Sequence, residues 1–319
     1  MKEEVKIENL ENKKYWIWFS LIKNLGARRK LRLLEIYKNP ETIYNLKKNE
    51  LLKIEGIGEK IVQNILDDNI KKEIKKHITY MDKNDIDIIS INEEKYPKIL
   101  KEIYDPPISL YVKGNTEILN NKAIAIVGCR DATEYGKKAA KYFSYNLSKD
   151  GINIVSGLAR GIDSYAHIGN ICAQDEESEK KQETDKLKIN MLEYNHQYGK
   201  TIAVVGNGLD IVYPKENIFL FDKIIETGGA IISEYPLGTK PDKMNFPARN
   251  RIVSGISKGI IVVEAKEKSG TLITVDFALE QGRDVYVVPG NINSINSVGT
   301  NDLIKQGARL VTNYKDIEE

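Results

Sequence analysis

The sequence predicts an α/β fold: a Rossmann-like, doubly wound and mostly parallel sheet preceded by a small all-helical region. Three observations predict it. The runs AIAIV (Ala123–Val127), TIAVV (Thr201–Val205) and IIVVE (Ile260–Glu264) are apolar at nearly every position, as strands covered on both faces must be. Amphipathic runs of helical period separate them, the alternation that builds a parallel sheet. Residues 1–80 carry helical spacing and no strand-like run.

Along the chain the helical region comes first. Trp16, Phe19, Leu21, Ile22 and Leu25 recur at helical spacing, as do Leu31, Leu33, Leu34 and Ile36, with Gly26 between the two sets. A second unit, LLKIEGIGEKIVQNIL (Leu51–Leu66), sets Gly56 and Gly58 between two helical stretches. Glycine there permits a tight turn and brings backbone amides to the surface near a helix start. We expect a helical domain over residues 1–80 and a sheet domain over 81–319. In the latter, strands are expected at Ala123–Val127, Ile152–Ser156, Thr201–Val205, Ala230–Ser233, Ile260–Glu264, Val285–Val288 and Leu310–Thr312. Helices fill the gaps, among them Tyr135–Ser148 and Thr271–Gln281. One stretch breaks the alternation. Gln174–Lys188 (QDEESEKKQETDKLK) is charged and almost without apolar residues, and reads as a solvated loop heading an insert that reaches to about residue 195. Its acids set it away from any phosphate site.

Bulk properties exclude several classes. Cys129 and Cys172 are too few for a disulfide framework and suit a reducing, cytoplasmic setting. The N-terminal MKEEVKIENLENKKYW has no apolar stretch after its charges, so it is no signal peptide. No run approaches the roughly 18 apolar residues of a membrane span. The net charge of +2 is too small to argue for nucleic acid, so any basic site must come from the placement of charges.

Ligands of open α/β sheets bind beyond the carboxyl ends of the strands. The loops there share one chemistry. Gly128, Cys129 and Arg130 follow the first of these strands. Ser156, Gly157, Arg160 and Gly161 follow the second, in SGLARGID. Lys215 and Asn217 lie in YPKEN after the third. Arg249, Asn250 and Arg251 lie in FPARNR after the fourth, and Ser269, Gly270 and Thr271 follow the fifth. Small residues let backbone amides approach a ligand, helix starts point their positive ends at the same edge, and guanidinium groups fork onto phosphate oxygens. The pattern is a phosphate-binding edge spread over several loops, with Arg130 at its centre. Arg249 and Arg251, two apart on a helix, face different sides, so one is expected in the groove and the other in a structural pair. Asp163 is expected to cap the helix that carries a structural His167. Tyr213, Tyr235 and Phe246 offer rings for stacking bases.

Cofactor and catalytic patterns are missing. Gly206-Asn207-Gly208 begins a G-x-G-x-x-G fingerprint, but Ile211 replaces its third glycine, and no P-loop occurs. His77, His167 and His196 are far apart in the chain, two cysteines make no metal quartet, and there is no G-x-S-x-G elbow. No catalytic residue, metal or cofactor is expected. An edge rich in Arg and Gly but poor in acid–base groups suits binding better than turnover.

The ordered series VGCR, SGLARGID-x-x-AH, YPKEN, ISEYPLG, FPARNRI, VVEAKEKSGTLIT and VPG, with the lead-in EEKYPKILKEIYDPPISLYVKG, resembles the DNA processing protein A (DprA, or Smf) family over about Asn92 to Val311. The resemblance implies a Rossmann-like domain that binds single-stranded DNA, protects it and hands it to the RecA recombinase in natural transformation, with homodimers common and no membrane partner. The N-terminal region is similar to the helix-hairpin-helix or sterile-alpha-motif modules of many members. Many members also carry a C-terminal winged-helix domain, and this sequence is expected to be a form without it. Cys129 stands where serine is frequent in the family, and a thiol is the weaker donor. The rival reading is a nucleotide-processing enzyme of the lysine-decarboxylase-like phosphoribohydrolase type. Its PGGxGTxxE signature finds only Ser269-Gly270-Thr271-Leu272 here, with Asp276 beyond and without the double glycine or the placed Glu.

Overall fold

The computed structural model describes Leu10, residues 12–187 and residues 198–317. The helical region contains α1 (Lys14–Leu21), α2 (Ala27–Tyr37), α3 (Pro40–Tyr44), α4 (Lys48–Leu51), α5 (Glu59–Ile65) and α6 (Asp68–Lys83). Local chemistry sets its breaks. The Asn39 side chain accepts from the Thr42 amide at 2.8 Å and so caps α3, while Pro40 sits where a missing N–H costs nothing. Asp67 caps α6 in the same way. Gly56 takes φ of +83° in the turn before α5, a left-handed conformation that favours glycine.

The helical region shares its core with the sheet. Trp18 and Phe19 are fully buried in the same apolar cluster as Leu110 and Val112. Ser20 Oγ and Tyr111 OH lie 2.6 Å apart, and Lys13 pairs with Asp87 at 3.2 Å and with Glu93 at 3.0 Å.

The sheet contains β1 (Ile86–Ser90), β2 (Ser109–Gly114), β3 (Ala123–Val127), β4 (Asn153–Ser156), β5 (Thr201–Val204), β6 (Ala230–Ser233), β7 (Gly259–Val262), β8 (Asp284–Val287) and β9 (Arg309–Leu310). Their order is β1-β2-β6-β5-β4-β3-β7-β8-β9. β2 runs antiparallel to both its neighbours, and the remaining pairings are parallel. The expected strands all form, with ends that coincide or shift by one or two residues. β1 and β2 are additional. They flank the turn-rich segment holding Pro106 and Pro107, and their antiparallel pairing needs no all-apolar run.

After the one-turn α7 (Lys98–Lys101), helices α8 (Glu134–Lys149), α9 (Ile162–Leu187), α10 (Ile218–Glu226), α11 (Asn245–Gly255) and α12 (Gly270–Glu280) cover the sheet. Side chains alternate along each strand. Ile124 and Ile126 of β3 meet Phe143 and Leu147 of α8 and Ala166 of α9. Ala125 and Val127 face the other way, in the cluster with Ile252 and Val253 of α11 and Val275 and Ala278 of α12.

The charged insert departs from expectation. α9 runs on to Leu187, so Gln174–Leu187 is helix rather than loop. Glu, Lys and Gln form helices well, and no Gly or Pro interrupts the stretch. Solvated charge is as compatible with a helix as with a loop. Lys149 of α8 pairs with Glu176 on it at 3.3 Å. Residues 188–195 of the insert, and His196, lie outside the described residues.

Strands β3 to β6 add in one direction and β7 to β9 in the other. The order therefore reverses between β3 and β7, the point at which doubly wound sheets bind ligands. Among the described residues no helix is long and apolar enough to cross a membrane.

Candidate functional site

A cleft of about 580 Å³ opens at this switch point. Its walls come from the loops after β3, β4 and β7 and from the start of α11. A narrower niche of about 60 Å³ adjoins it. Two glycines let the loops approach so closely. A Cβ on Gly157 would stand 2.4 Å from the Arg249 guanidinium. Gly161 has φ of +72°, and a Cβ there would stand 2.3 Å from the Cys129 carbonyl oxygen. Glu264, buried just beyond β7, holds the β3 loop from the other side. Its carboxylate accepts from the Thr133 amide at 2.9 Å and from the Thr133 hydroxyl, and its carbonyl oxygen accepts from the Cys129 amide at 2.9 Å.

The expected site residues separate into those that meet and those that do not. Gly128, Cys129, Arg130, Gly157, Arg249, Asn250, Ser269, Gly270 and Thr271 all line the cleft. Arg130 is exposed, forms no ion pair among the described residues, and lies 5.6 Å from the centroid of the Phe246 ring. Phe246 in turn stacks on Tyr213, with centroids 5.5 Å apart and planes 22° from parallel. Arg249 is buried, and its guanidinium donates to the carbonyl oxygens of Gly157 (2.7 Å) and Val204. Burial lowers its pKa against the opposing pull of Asp163. Ser269 caps α12, its hydroxyl accepting from the Thr271 amide at 3.2 Å. The Cys129 thiol is buried, and burial pushes its pKa up.

Others lie elsewhere. Arg251 is turned away into a buried ion-pair cluster. Two of its nitrogens meet Glu234 at 2.7 and 2.6 Å, and its Nε meets Asp105 at 3.0 Å. Burial opposes its charge, but these carboxylates outweigh that and raise its pKa above the ordinary arginine value. Asn217 is buried, donating to the Leu158 carbonyl at 2.9 Å and to Ser164 Oγ at 3.0 Å, so it ties YPKEN to the β4 loop rather than facing the cleft. Lys215 is exposed but outside the cleft lining. Ser156 is buried, its hydroxyl donating to the Ile126 carbonyl at 2.6 Å. Arg160 lines only the niche, and its Nε pairs with Glu216. Gly161 shapes the β3 loop from behind. Tyr235 lies outside the lining of both, its hydroxyl 3.4 Å from the Asn245 carbonyl.

Asp163 is in the first turn of α9, not its cap, because the helix begins one residue earlier. Its buried carboxylate accepts from the Ala159 amide at 3.3 Å, and burial raises its pKa. His167 is structural: fully buried, with Nδ1 2.7 Å from Thr201 Oγ1.

Lys243, Lys266 and Lys268 also line the cleft, and none is among the expected site residues. The rule of reading the loops after strands applies to Lys266 and Lys268, which follow β7. Lys243 precedes a helix instead and carries no such signal. Lys266 pairs with the exposed Asp131 at 3.4 Å, whereas Lys243 and Lys268 form no ion pair among the described residues. Two carboxylates, Asp131 and Asp163, thus face five cationic side chains. Such an arrangement attracts an extended polyanion.

The family model for DNA recombination-mediator protein A matches residues 87–319, and that for a SAM-like helix-hairpin-helix tandem matches residues 20–68. The chain is 41% identical to the DNA processing protein DprA of Bacillus subtilis over 235 residues, 73% of this chain and 71% of that one. It is similar to the structure of DNA processing protein A from Streptococcus pneumoniae, with a TM-score of 0.75, 36% identity, and coverage of 95% of this chain and 96% of that one. It is also similar to DNA processing protein A from Helicobacter pylori, whose structure was described for its single-stranded DNA binding mode. There the TM-score is 0.58 and the identity 29%, with coverage of 72% of this chain and 93% of that one.

Proposed function

The chain belongs to the family of DNA recombination-mediator protein A, and we propose that its cleft binds single-stranded DNA by the phosphate backbone. The observation that carries the reading is uncompensated positive charge at the switch point. Arg130, Lys243 and Lys268 are free of carboxylates among the described residues, and Arg249 stands behind them on the same wall. The Helicobacter pylori relative supplies the nature of the strand. The glycine-lined walls and the start of α12 complete an anion-binding surface without any base-specific pattern. Gly128, Cys129, Gly157, Asn250, Ser269, Gly270 and Thr271 act through backbone and shape, and the cations hold charge.

The reading is of binding and not of turnover. Of the two acids that line the cleft, Asp163 is buried and hydrogen-bonded within its own loop, and Asp131 is paired with Lys266. Among the described residues no cluster of His, Cys, Asp and Glu could hold a metal ion. The larger role follows the family resemblance: a cytoplasmic homodimer that protects single strands and loads RecA onto them during DNA uptake and recombination. The two free thiols, Cys129 and Cys172, suit that compartment.

Fluorescence anisotropy of labelled oligo-dT and a matched duplex across a salt series tests the reading. Single strand should bind more tightly, with a log–log salt slope of about −0.7 per phosphate neutralised. Arg130→Ala should weaken binding about tenfold, the worth of one charge-assisted hydrogen bond, and flatten the slope by about one phosphate. Equal affinity for duplex, or a flat salt response, would overturn it.

A further inference from the structure

The charges of this chain are unevenly divided. Residues 12–83, which hold α1 to α6, carry 17 Lys and Arg against 9 Asp and Glu, a net +8, so the rest of the chain, with 31 against 37, carries −6. The helical region is thus basic in its own right, although the cleft lies among the strands. It meets the sheet at the edge on which that cleft opens. Arg28 of α2 lies over the ring of Tyr104, 4.3 Å from its centroid. Tyr104 leads into β2, which starts opposite the carboxyl end of β6. The next residue, Asp105, accepts from Arg251 of α11 at 3.0 Å, while Arg249 and Asn250 of the same helix line the cleft. The Arg28–Tyr104 pair and the cleft therefore flank α11, and a helix is about 10 Å across. Two features of this surface are unfavourable for the fold by itself. Tyr104 is 74% exposed, although a guanidinium stands over one face of its ring. Arg28 and Arg29 stand in the first turn of α2, which holds no acid and has no side-chain cap. The helix dipole disfavours cations there. Both arginines are exposed and form no ion pair among the described residues. The carboxylates nearest Tyr104 in the chain are turned elsewhere: Asp105 pairs with Arg251, and the charge of Glu102 acts on Arg283. Local rules broken together at one place mark a functional surface.

We propose that the single strand leaving the cleft crosses α11 and runs on over Tyr104, Arg28 and Arg29, so that the helical region holds a second stretch of it. The inference rests on the reading of the cleft as a single-strand site and extends that site to a part of the chain with no share in the cleft. Phosphates meet the two guanidinium groups, and a base stacks on the ring face of Tyr104 that Arg28 leaves open. The division of charge favours the same course. A polyanion is drawn to the basic helices and repelled by the acidic remainder, so the strand has one direction in which to leave. Duplex DNA cannot follow it, because a duplex is stiff over about 150 base pairs and does not bend around a single helix.

The test compares strand lengths. Anisotropy titrations use oligo-dT of about 6 nucleotides, which the cleft alone can hold, and of about 20, which reaches the helical region as well. Wild type should gain affinity on lengthening the strand. In the double variant Arg28→Ala/Arg29→Ala that gain should shrink by about tenfold, and the long-strand salt slope should flatten by about 0.7 for each phosphate released. Tyr104→Ala should remove roughly fivefold of the gain, the worth of one stacked base, while Tyr104→Phe, which keeps the ring, should retain it. All three side chains are exposed, and circular dichroism confirms that the variants fold. A gain unchanged in the double variant overturns the second stretch and leaves the reading of the cleft standing. An equal loss on both lengths overturns it too, because the arginines then act on the cleft itself. Failure of wild type to bind either strand at low salt overturns both readings.

Discussion

Arg249 and Arg251 stand two residues apart in α11 and end in opposite electrostatic situations. Arg251 is held by two carboxylates, so its charge is neutralised in place. Arg249 donates to carbonyl oxygens and keeps its Nε unmet. Their spacing on a helix separates them, but does not say which faces the cleft. Glu234 and Asp105 decide it, and they stand 17 and 146 residues from Arg251 in the chain. His167 shows the cost of burying a titratable group. Burial, helped by the nearby charge of Arg249, lowers its pKa from 6.5 to about 3. The unfolded chain takes up this proton as pH falls through about 6.5, and the folded chain resists until about 3. The stability it contributes is therefore whole above pH 6.5 and drains away toward pH 3, by about 1.4 kcal/mol per unit inside that window. Urea unfolding at pH 7.5, 5.5 and 4.5 should show this loss, and His167→Gln, which cannot be charged, should lose less. Parallel losses in both proteins would assign the acid sensitivity to other groups.

The elements were more legible than their junctions. The buried parallel strands declare themselves through all-apolar runs, because a strand covered on both faces has no solvent side to hold a polar residue. β1 and β2 did not stand out, since an antiparallel pair at one end of the sheet is recognised by partners across the fold and not by its own composition. The insert is the reverse case: its dense charge predicts a solvated loop, but its residues are good helix formers and Gln174–Leu187 is helix. At the junctions, Gly161 matters most. Gly161→Ala would force a Cβ into left-handed backbone and within 2.3 Å of the Cys129 carbonyl oxygen and 2.4 Å of that of Arg130. The expected result is a loss of about 1–3 kcal/mol of stability together with weaker single-strand binding, because the loop that carries Arg130 must move. Gly282→Ala is the control. It has φ of +65° with nothing within 4 Å of a Cβ, so thermal unfolding should shift while binding stays at the wild-type value. Unchanged binding in Gly161→Ala would show that the loop does not depend on this packing.

At the scale of the whole molecule, helical region and sheet share one apolar core, through Trp18 and Phe19 on one side and Leu110 and Val112 on the other. Both tryptophans, Trp16 and Trp18, lie in the helical region, so their fluorescence reports its unfolding while far-ultraviolet dichroism follows the chain as a whole. The shared core predicts coincident transitions in denaturant. An earlier fluorescence transition would mean that the helices come away first. The same scale governs charge. A net charge of +2 says nothing about a polyanion ligand, yet the fold gathers Arg130, Lys243, Arg249, Lys266 and Lys268 around one cleft from separate segments of the chain.

By itself the sequence determined the fold class, the strands at the heart of the sheet and the loops that carry the site. Those follow from local period and from the rule that ligands meet a parallel sheet at its carboxyl edge, and both are written along the chain. Tertiary structure alone decided which of two neighbouring arginines faces the cleft, that Asn217 is a brace, that Lys243 joins the charged wall, and that Tyr213, Phe246 and Asn207 close around one niche. The physical reason is common to all of these. A side chain's role here depends on its partner's charge, burial and hydrogen bonding, and those partners lie tens of residues away, brought within reach only when the sheet is wound.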